Sequence, residues 1–281
     1  MSNLFSRGCL SALLMLLSLS AMNSSLMAWE SYDSCDCNRI YVGAFGGGIY
    51  SNSAKLHQLG TVFFNEAAGG PLAVFAQGHL RKSSSGFGGV QIGYEWLQCP
   101  QYIQCSDWTV VPTTELEAYF YSHHKKGHFV NSTDRLPEHD FVNSFHMNMG
   151  VYLFNTMFSL NNPCWCGFSP YIGANIGATR ISVRNAKSIQ IAPEEPEINY
   201  FNSKRSDSDW TFAAQAKVGV QYKFCGSFHI FAEYRYLFVD SSNYIFGSTV
   251  YPTHAPTSPW NVKVKHFHYN AFALGIQFDL S

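Results

Sequence analysis

Hydrophobic and polar residues alternate with a period of two along Trp210–Phe224, WTFAAQAKVGVQYKF. Every second residue from Phe212 to Phe224 is apolar or aromatic, whereas the residues between them are small, polar or charged. Successive side chains of a β-strand point to opposite faces, so this segment predicts a strand with one apolar and one polar face. Its length and its terminal aromatic residues are typical of a tilted strand that crosses a bilayer.

Seven further segments show the same alternation, and with Trp210–Phe224 they predict eight strands. They are Arg39–Tyr50, Phe87–Leu97, Thr113–Tyr121, Val142–Phe158, Phe168–Val183, Phe228–Val239 and Val264–Leu280. Long polar connections follow the first, third, fifth and seventh strands: Ser51–Ser85, Ser122–Phe141, Arg184–Asp209 and Asp240–Asn261. The other connections are shorter, and this alternation is typical of outer-membrane barrels, whose external loops are long and whose periplasmic turns are short.

The pattern therefore predicts an all-β fold, a transmembrane up-and-down antiparallel β-barrel of eight strands. Ser51–Ser85 contains two short apolar runs around a turn-like Ala68–Pro71. We interpret it either as a hairpin that rises above the membrane or as two additional strands, which would make ten. The alternative of a soluble lipocalin-type barrel is disfavoured because such a barrel places its apolar face inside.

Composition agrees with a membrane barrel. Charged residues make up only 13% of the chain and aromatic residues 16%, with 22 glycines. No apolar run after the N-terminus reaches the length of a transmembrane helix, which argues against a helical membrane protein. The net charge of −1 and the lack of a basic stripe argue against nucleic acid as a partner.

The N-terminal segment predicts a secretory signal peptide over residues 1–28. Arg7 supplies a positive charge, Cys9–Met22 forms an apolar core, and Ala28 offers a cleavage position. Residues 29–38 then form a short periplasmic segment, and residues 39–281 form the barrel. Cys9 lies at the start of the apolar core and not after it, so a lipoprotein site is not predicted.

All seven cysteines after the signal fall at one predicted end of the barrel, the periplasmic end. They are Cys35, Cys37, Cys99, Cys105, Cys164, Cys166 and Cys225. The periplasm permits disulfides, and an odd count leaves a thiol for another molecule. We predict a belt of disulfides that cross-links neighbouring envelope proteins; intramolecular bridges with one buried thiol are the alternative. Zinc binding by these cysteines is a third interpretation, but the Cys-x-Cys spacing is not the usual one for zinc ligands.

Charged residues of both signs are predicted to point into the lumen. They are Glu95, Glu117, Lys217, Lys223, Glu233 and Arg235. An eight-stranded barrel is just wide enough to be filled by side chains, and buried charges need partners. We therefore predict a salt-bridge network that plugs the lumen, with a narrow gated channel as the alternative.

Four histidines cluster in the predicted external loop Ser122–Phe141, next to Lys125 and Lys126. They are His123, His124, His128 and His139. A metal site or a site for an anionic surface is one interpretation, and a solvated loop is the other. No Ser–His spacing singles out a catalytic pair, so we assign no catalytic residue, metal or cofactor.

Four segments carry a family resemblance, and they are SPYIGANIGATRI (Ser169–Ile181), Phe212–Phe224, FAEYRYLFV (Phe231–Val239) and YNAFALGIQFDL (Tyr269–Leu280). In this order and spacing they resemble the opacity-protein and OmpA-like outer-membrane β-barrel family. YVGAFGGGIY and GFGGVQIGYEW resemble its start. The resemblance implies an eight-stranded barrel without enzymatic activity, inserted from the periplasm by the barrel-assembly machinery. The chain departs from the family at its end, Phe278-Asp279-Leu280-Ser281, where the usual terminal aromatic residue is displaced.

We therefore expect a non-enzymatic outer-membrane protein with a structural or surface-interaction role, an adhesin or antigen that presents four external loops. Its expected partners are outer-membrane lipid, the assembly machinery, envelope proteins joined by disulfides and host surface ligands. A small-solute porin is the first alternative, and a lipid-modifying outer-membrane enzyme is the second.

Overall fold

The computed structural model describes residues 38–96, 108–133 and 139–280. They form twelve β-strands and two short 3₁₀ turns, and none of their helical segments is long and apolar enough to cross a bilayer. The strands are β1 (Asn38–Ser51), β2 (Ala54–Val62), β3 (Leu72–Leu80), β4 (Ser83–Trp96), β5 (Thr109–Asn131), β6 (Asp140–Asn161), β7 (Phe168–Ala192), β8 (Asp207–Cys225), β9 (Phe228–Val239), β10 (Ser242–Phe246), β11 (Trp260–Val264) and β12 (Phe267–Asp279).

Eight of these strands close into a barrel. The order β5-β4-β1-β12-β9-β8-β7-β6 is hydrogen-bonded throughout, and β6 returns to pair with β5. All pairs are antiparallel. The predicted eight-stranded up-and-down barrel is confirmed. The hairpin interpretation of Ser51–Ser85 is also confirmed, because β2 and β3 lie outside this ring.

The outer wall of the ring carries an apolar band between aromatic residues. Phe272 and Leu274 are 68% and 70% exposed, and large apolar side chains of other ring strands share this exposure. On one side of the band Trp210 lies 5.8 Å from Tyr152 between ring centroids. On the other side Tyr94 lies 4.5 Å from Trp96. An exposed apolar band between two aromatic belts is the surface of a barrel that spans a membrane.

The remaining four strands lie beyond one end of the ring, in a part of the structure that we call the cap. It consists of β2, β3, β10 and β11 together with the distal parts of β5, β6 and β7. Near Gly127, β5 leaves β4 and pairs with β3, and the sheet continues as β3-β2-β11-β10. We call the opposite end of the barrel, where the β6–β7 and β8–β9 turns lie, the turn end.

The cap corrects three predictions. Ser122–Phe141, Arg184–Asp209 and Asp240–Asn261 were expected to be loops, but β5 extends to Asn131, β7 extends to Ala192, and β10 and β11 occupy part of the last segment. The physical reason is that the outward residues of these strands contact water. Their outer faces are therefore polar. These strands lack the contrast between an apolar outer face and a polar inner face that marks a lipid-facing strand.

β10, the last strand of the cap sheet, is connected to β8 by side-chain carboxylates rather than by a ladder of backbone hydrogen bonds. Asp209 accepts the backbone N–H of Asn243 at 2.8 Å, and Asp207 accepts that of Ile245 at 2.7 Å. Both acceptors stand at the start of β8 and both donors in β10. We call this contact the β8–β10 seam; it satisfies edge amides that would otherwise remain open for pairing with another chain.

The interior changes character along the barrel axis. Towards the cap it is apolar, because Phe145, Met147, Met149 and Val151 of β6 all point inward and are buried. Inside the cap, Phe129, Phe141 and Trp260 continue the same core. The half near the turn end instead contains charged residues.

Candidate functional site

Five charged side chains meet in the centre of the lumen. They are Glu115 and Glu117 of β5, Lys217 of β8, and Glu233 and Arg235 of β9, and each is buried. Residues two apart on a strand share a face, so each strand delivers its charges to the same side. Cross-strand pairing brings Lys217 beside Arg235, and the far wall supplies the glutamates.

Each cation contacts more than one carboxylate. The Lys217 ammonium lies 2.7 Å from Glu115, 3.3 Å from Glu117 and 4.0 Å from Glu233. Arg235 Nη1 donates to Glu117 at 2.7 Å, and its Nε and Nη2 both donate to Glu233. The side chains are at most 2% exposed. A buried network of this kind is stable only when its charges are paired and its remaining polar atoms are hydrogen-bonded.

Neutral donors stabilise the excess of carboxylate, since three glutamates here face two cations. The Tyr41 hydroxyl donates to Glu115 and the Tyr171 hydroxyl to Glu233, both at 2.8 Å. Asn155 donates its amide to Glu115 at 2.5 Å. Five buried charges are thereby held by hydrogen bonds from several strands.

Two inward glycines make room for these tyrosines. Gly93 is the cross-strand neighbour of Tyr41, and Gly219 is the neighbour of Tyr171. A Cβ atom at Gly93 would overlap the Tyr41 ring, and one at Gly219 would lie 2.7 Å from Tyr171 Cζ. The rings of Tyr41 and Tyr171 can extend over the neighbouring strand and reach the carboxylates only because Gly93 and Gly219 lack a side chain.

A second cluster lies nearer the turn end and contains Glu95. Arg39 Nε is 3.0 Å from Glu95 and 3.3 Å from Asp279, and His229 Nε2 is 3.1 Å from Asp279. Lys223 joins neither cluster as an ion-pair partner among the described residues, and its side chain is exposed.

The two clusters leave very little free space between them. The cavity bounded by Tyr41, Glu95, Glu115, Lys217 and Glu233 has a volume of about 10 Å³. That space holds about one water molecule. In the described residues the lumen is thus a packed, ion-paired plug.

The six predicted lumen charges divide between the two clusters and one exposed position. The structure brings Glu117, Lys217, Glu233 and Arg235 together and places Glu95 in the neighbouring cluster. Lys223 has no ion-pair partner in the part of the chain that the structure describes. Glu115 was missed as a member, although its place on the inward face of Thr113–Tyr121 was a sufficient signal. Arg39 and the donor tyrosines were also missed, because their roles depend on which strands face each other across the lumen.

Of the seven predicted periplasmic cysteines, the structure describes Cys164, Cys166 and Cys225. Cys35, Cys37, Cys99 and Cys105 lie outside the described residues, as does the predicted signal peptide. Cys164 and Cys166 are exposed at the β6–β7 turn, and Cys225 ends β8 at the adjacent turn. The turns touch, since the Lys223 N–H donates to the Gly167 carbonyl at 3.0 Å. The disulfide belt stays a prediction.

The predicted histidine cluster does not converge on one point. His123 is buried inside the barrel, whereas His124 and His128 lie on the outer face of β5. His124 lies beside His146 of β6, with ring centroids 4.7 Å apart and ring planes tilted by 57°. Within residues 38–96, 108–133 and 139–280, no three His, Cys, Asp or Glu side chains are grouped to hold a metal ion.

A larger cavity of about 260 Å³ opens in the cap. Phe141, Tyr200 and Trp260 form its aromatic side, and His254 and Glu195 its polar side. The Tyr200 hydroxyl lies 2.8 Å from Glu195 and 3.2 Å from His254. Burial and the neighbouring Glu195 carboxylate raise the pKa of Tyr200, so this hydroxyl stays protonated and acts as a donor.

No protein-family model matches the chain, and no curated protein is similar to it. Similar solved structures include neisserial surface protein A, at 12% identity and a TM-score of 0.37 over 86% of this chain and 97% of that one. OprG from Pseudomonas aeruginosa is 11% identical with a TM-score of 0.40, covering 85% and 96%. The outer membrane protease OmpT from Escherichia coli is 8% identical with a TM-score of 0.38, covering 85% and 97%. These likenesses are too weak to carry an assignment of function to this chain.

Proposed function

We propose that the protein is a non-enzymatic outer-membrane β-barrel that acts as a structural and surface-interaction protein through its cap. The observation that carries this proposal is the contrast between a lumen closed by buried ion pairs and a large ordered structure beyond the membrane band. A closed lumen has no path for solutes, and a packed cap offers a fixed surface for contact.

Placement in an outer membrane follows from the wall of the barrel. Membrane barrels of this type have short periplasmic turns and longer external segments, so the turn end faces the periplasm and the cap faces outward. The signal-like residues 1–28 and the resemblance to opacity and OmpA-like proteins support this placement. They also imply insertion by the barrel-assembly machinery.

A contact surface for a protein partner lies on the outer wall of the cap. Leu59 of β2 and Phe75 of β3 are cross-strand neighbours, 44% and 37% exposed, and Val130 on β5, the cross-strand neighbour of Gln77, is 50% exposed. Contiguous exposed apolar residues beyond the membrane mark a site of protein contact. We therefore place the contact with host surface proteins on this β2–β3–β5 wall.

The contact is tested by the binding of intact cells that express the protein to host cell surfaces. Leu59→Ser with Phe75→Ser is expected to reduce adhesion, whereas Ile245→Ser, which removes an exposed apolar residue of β10, is expected to leave it unchanged. Equal adhesion of cells with the double substitution and of wild-type cells, at equal surface levels, would exclude this wall as the contact.

Conductance across planar bilayers distinguishes the proposed function from the porin alternative. The protein is expected to insert, to show heat-modifiable gel mobility and to give no steady ion current, because the free space in the charged lumen holds about one water molecule. Stepwise currents from inserted protein would overturn the closed-lumen reading. Unchanged lipid masses after expression are expected if the barrel is not a lipid-modifying enzyme.

A further inference from the structure

The outer wall just beyond the aromatic belt carries a cluster of basic residues on β5, β6 and β7. Six residues form what we call the basic face: His124 and Lys126 of β5, His146 of β6, and Arg180, Arg184 and Lys187 of β7. All six are exposed.

Strand register places these side chains next to one another. His124 pairs with His146, and His146 pairs with Arg184, so the three lie in one row across β5, β6 and β7. In the next row Lys126 and Lys187 flank Ser144. Lys126, Arg184 and Lys187 therefore hold three permanent positive charges within two adjacent rows of one face, and an anion over this face would offset their mutual repulsion.

A β-bulge makes this arrangement. The β6–β7 register shifts between Ser144 and His146, and Asn185 opposite this shift has a left-handed backbone with φ of 54°. Arg184 before the bulge and Lys187 after it are both exposed, although three positions along an unbroken strand would place them on opposite faces. Bulges re-aim side chains in this way, and here the effect is to add a second cation beside Arg184.

The basic face begins where the lipid-facing band ends. The Arg180 guanidinium lies 6.0 Å from the ring centroid of Trp210, a member of the aromatic belt on the cap side. The outward positions of β5, β6 and β7 from this belt to Lys126 and Lys187 contain no acidic residue. Asp140, farther along β6, lies 3.7 Å from His128.

We propose that the basic face binds the phosphate groups of the anionic lipid in the outer leaflet. This inference rests on the proposed outer-membrane placement. Lipid phosphates lie at the level of the aromatic belt, anionic headgroups attract Lys and Arg near the surface, and guanidinium groups match the geometry of phosphate. The described outward residues of β1 and β4 at this level are glycine, serine and tyrosine. The bound lipid lies on the β5–β7 side, where the basic face is.

The test uses the folded full-length protein in neutral detergent, titrated with fluorescent lipid A that carries both phosphates or neither. Diphosphoryl lipid A is expected to bind, in a way that salt weakens, and the dephosphorylated lipid is expected to bind at least about tenfold more weakly. Arg184→Gln with Lys187→Gln is expected to weaken binding of the diphosphoryl lipid by about tenfold or more.

Lys55→Gln with Lys263→Gln removes the same charge from β2 and β11 and is the matched control, expected to bind like wild type. Heat-modifiable mobility in neutral bilayers shows separately whether each variant is a folded barrel. Equal binding of both lipids, or an Arg184/Lys187 variant that binds like wild type, would overturn the proposal while leaving the barrel assignment intact. Full competition by inorganic phosphate would also overturn it, in favour of a site for free phosphate.

Discussion

Lys125 is buried and has no counter-ion among the residues that the structure describes, and we expect the protein to become more stable when its charge is removed. Its side chain is 1% exposed, and its ammonium donates to the hydroxyl of Ser51. That hydroxyl lies 3.1 Å from Ser83, whose hydroxyl lies 3.3 Å from His123 Nδ1. No carboxylate among the described residues forms an ion pair with Lys125, in contrast to Lys217.

The cost of this burial follows from the pKa. Lys125 lies beyond the aromatic belt, outside the membrane-spanning part of β5, and burial lowers its pKa from 10.5 to about 8. A difference of this size corresponds to about 3 kcal/mol against folding while the amine is charged in both states. The hydrogen bond to Ser51 returns about 1 kcal/mol. Lys125→Met, which keeps the length and removes the charge, is therefore expected to raise the free energy of unfolding by about 2 kcal/mol at neutral pH.

The dependence on pH has a definite sign. Between about pH 8 and pH 10.5 the unfolded chain holds the proton that the folded protein has released, so the stability of the wild type rises across this window. Below about pH 8 both states are protonated and the full penalty remains. The variant lacks the group, so its advantage over the wild type is expected to shrink as the pH rises through the window.

The assay is equilibrium unfolding by guanidinium in neutral detergent, followed by tryptophan fluorescence near neutral pH and at about pH 9.5. Lys126→Met is the matched control, since Lys126 is the next residue but is exposed, and it is expected to shift stability by no more than about 0.5 kcal/mol. A Lys125→Met variant that is less stable than the wild type at neutral pH would refute the reasoning, because the serine contacts would then outweigh desolvation.

Three further predictions concern the lumen, the seam and the turn end. Lys217→Met leaves the buried Glu115 without its cation and is expected to cost about 3–5 kcal/mol in unfolding measurements, whereas Lys223→Met on the same strand should be nearly neutral. Asp207→Asn with Asp209→Asn roughly halves the strength of the hydrogen bonds in the β8–β10 seam. Proteases should then cut near β10 faster, while heat-modifiable gel mobility persists. Unchanged cleavage would contradict the role of the seam. A variant whose only cysteine is Cys166 should react with an impermeant maleimide only after the outer membrane is permeabilised, and labelling of intact cells would reverse the assigned orientation.

The eight-stranded ring was predictable because its two environments differ sharply. Lipid selects apolar side chains on one face, and the narrow lumen selects small or charged ones on the other, so Trp210–Phe224 alternates without a break. The same parity assigns Lys217 and Arg235 to the lumen. Lys217 contacts Glu115, and Arg235 contacts Glu117, across strands that are 102 and 118 residues apart in sequence. Local pattern contains no information about these long-range pairs.

The cap was not predictable for a related reason. Beyond Phe120 the inward residues of β5 include His123 and Lys125 and the outward ones include His124 and Lys126, so both faces are polar and the period of two vanishes. On β7 the bulge at Asn185 shifts the parity itself. A stretch without alternation is interpreted as a loop, even where cross-strand pairing with β3 or β6 keeps it extended.

The attachment of the cap determines where the molecule opens first. Three of its strands, β5, β6 and β7, run without interruption into the membrane-spanning ring, so this wall is as stable as the barrel. The other wall reaches the ring through the β3–β5 ladder on one side. On the other side it is joined by the Asp207 and Asp209 contacts and by hydrogen bonds of Asn202 and Lys204, which precede β8. A seam of charge-assisted single bonds is weaker than a continuous ladder and is the natural site of local opening. Any motion of the cap should therefore separate β10 from β8 while the plugged lumen below stays closed.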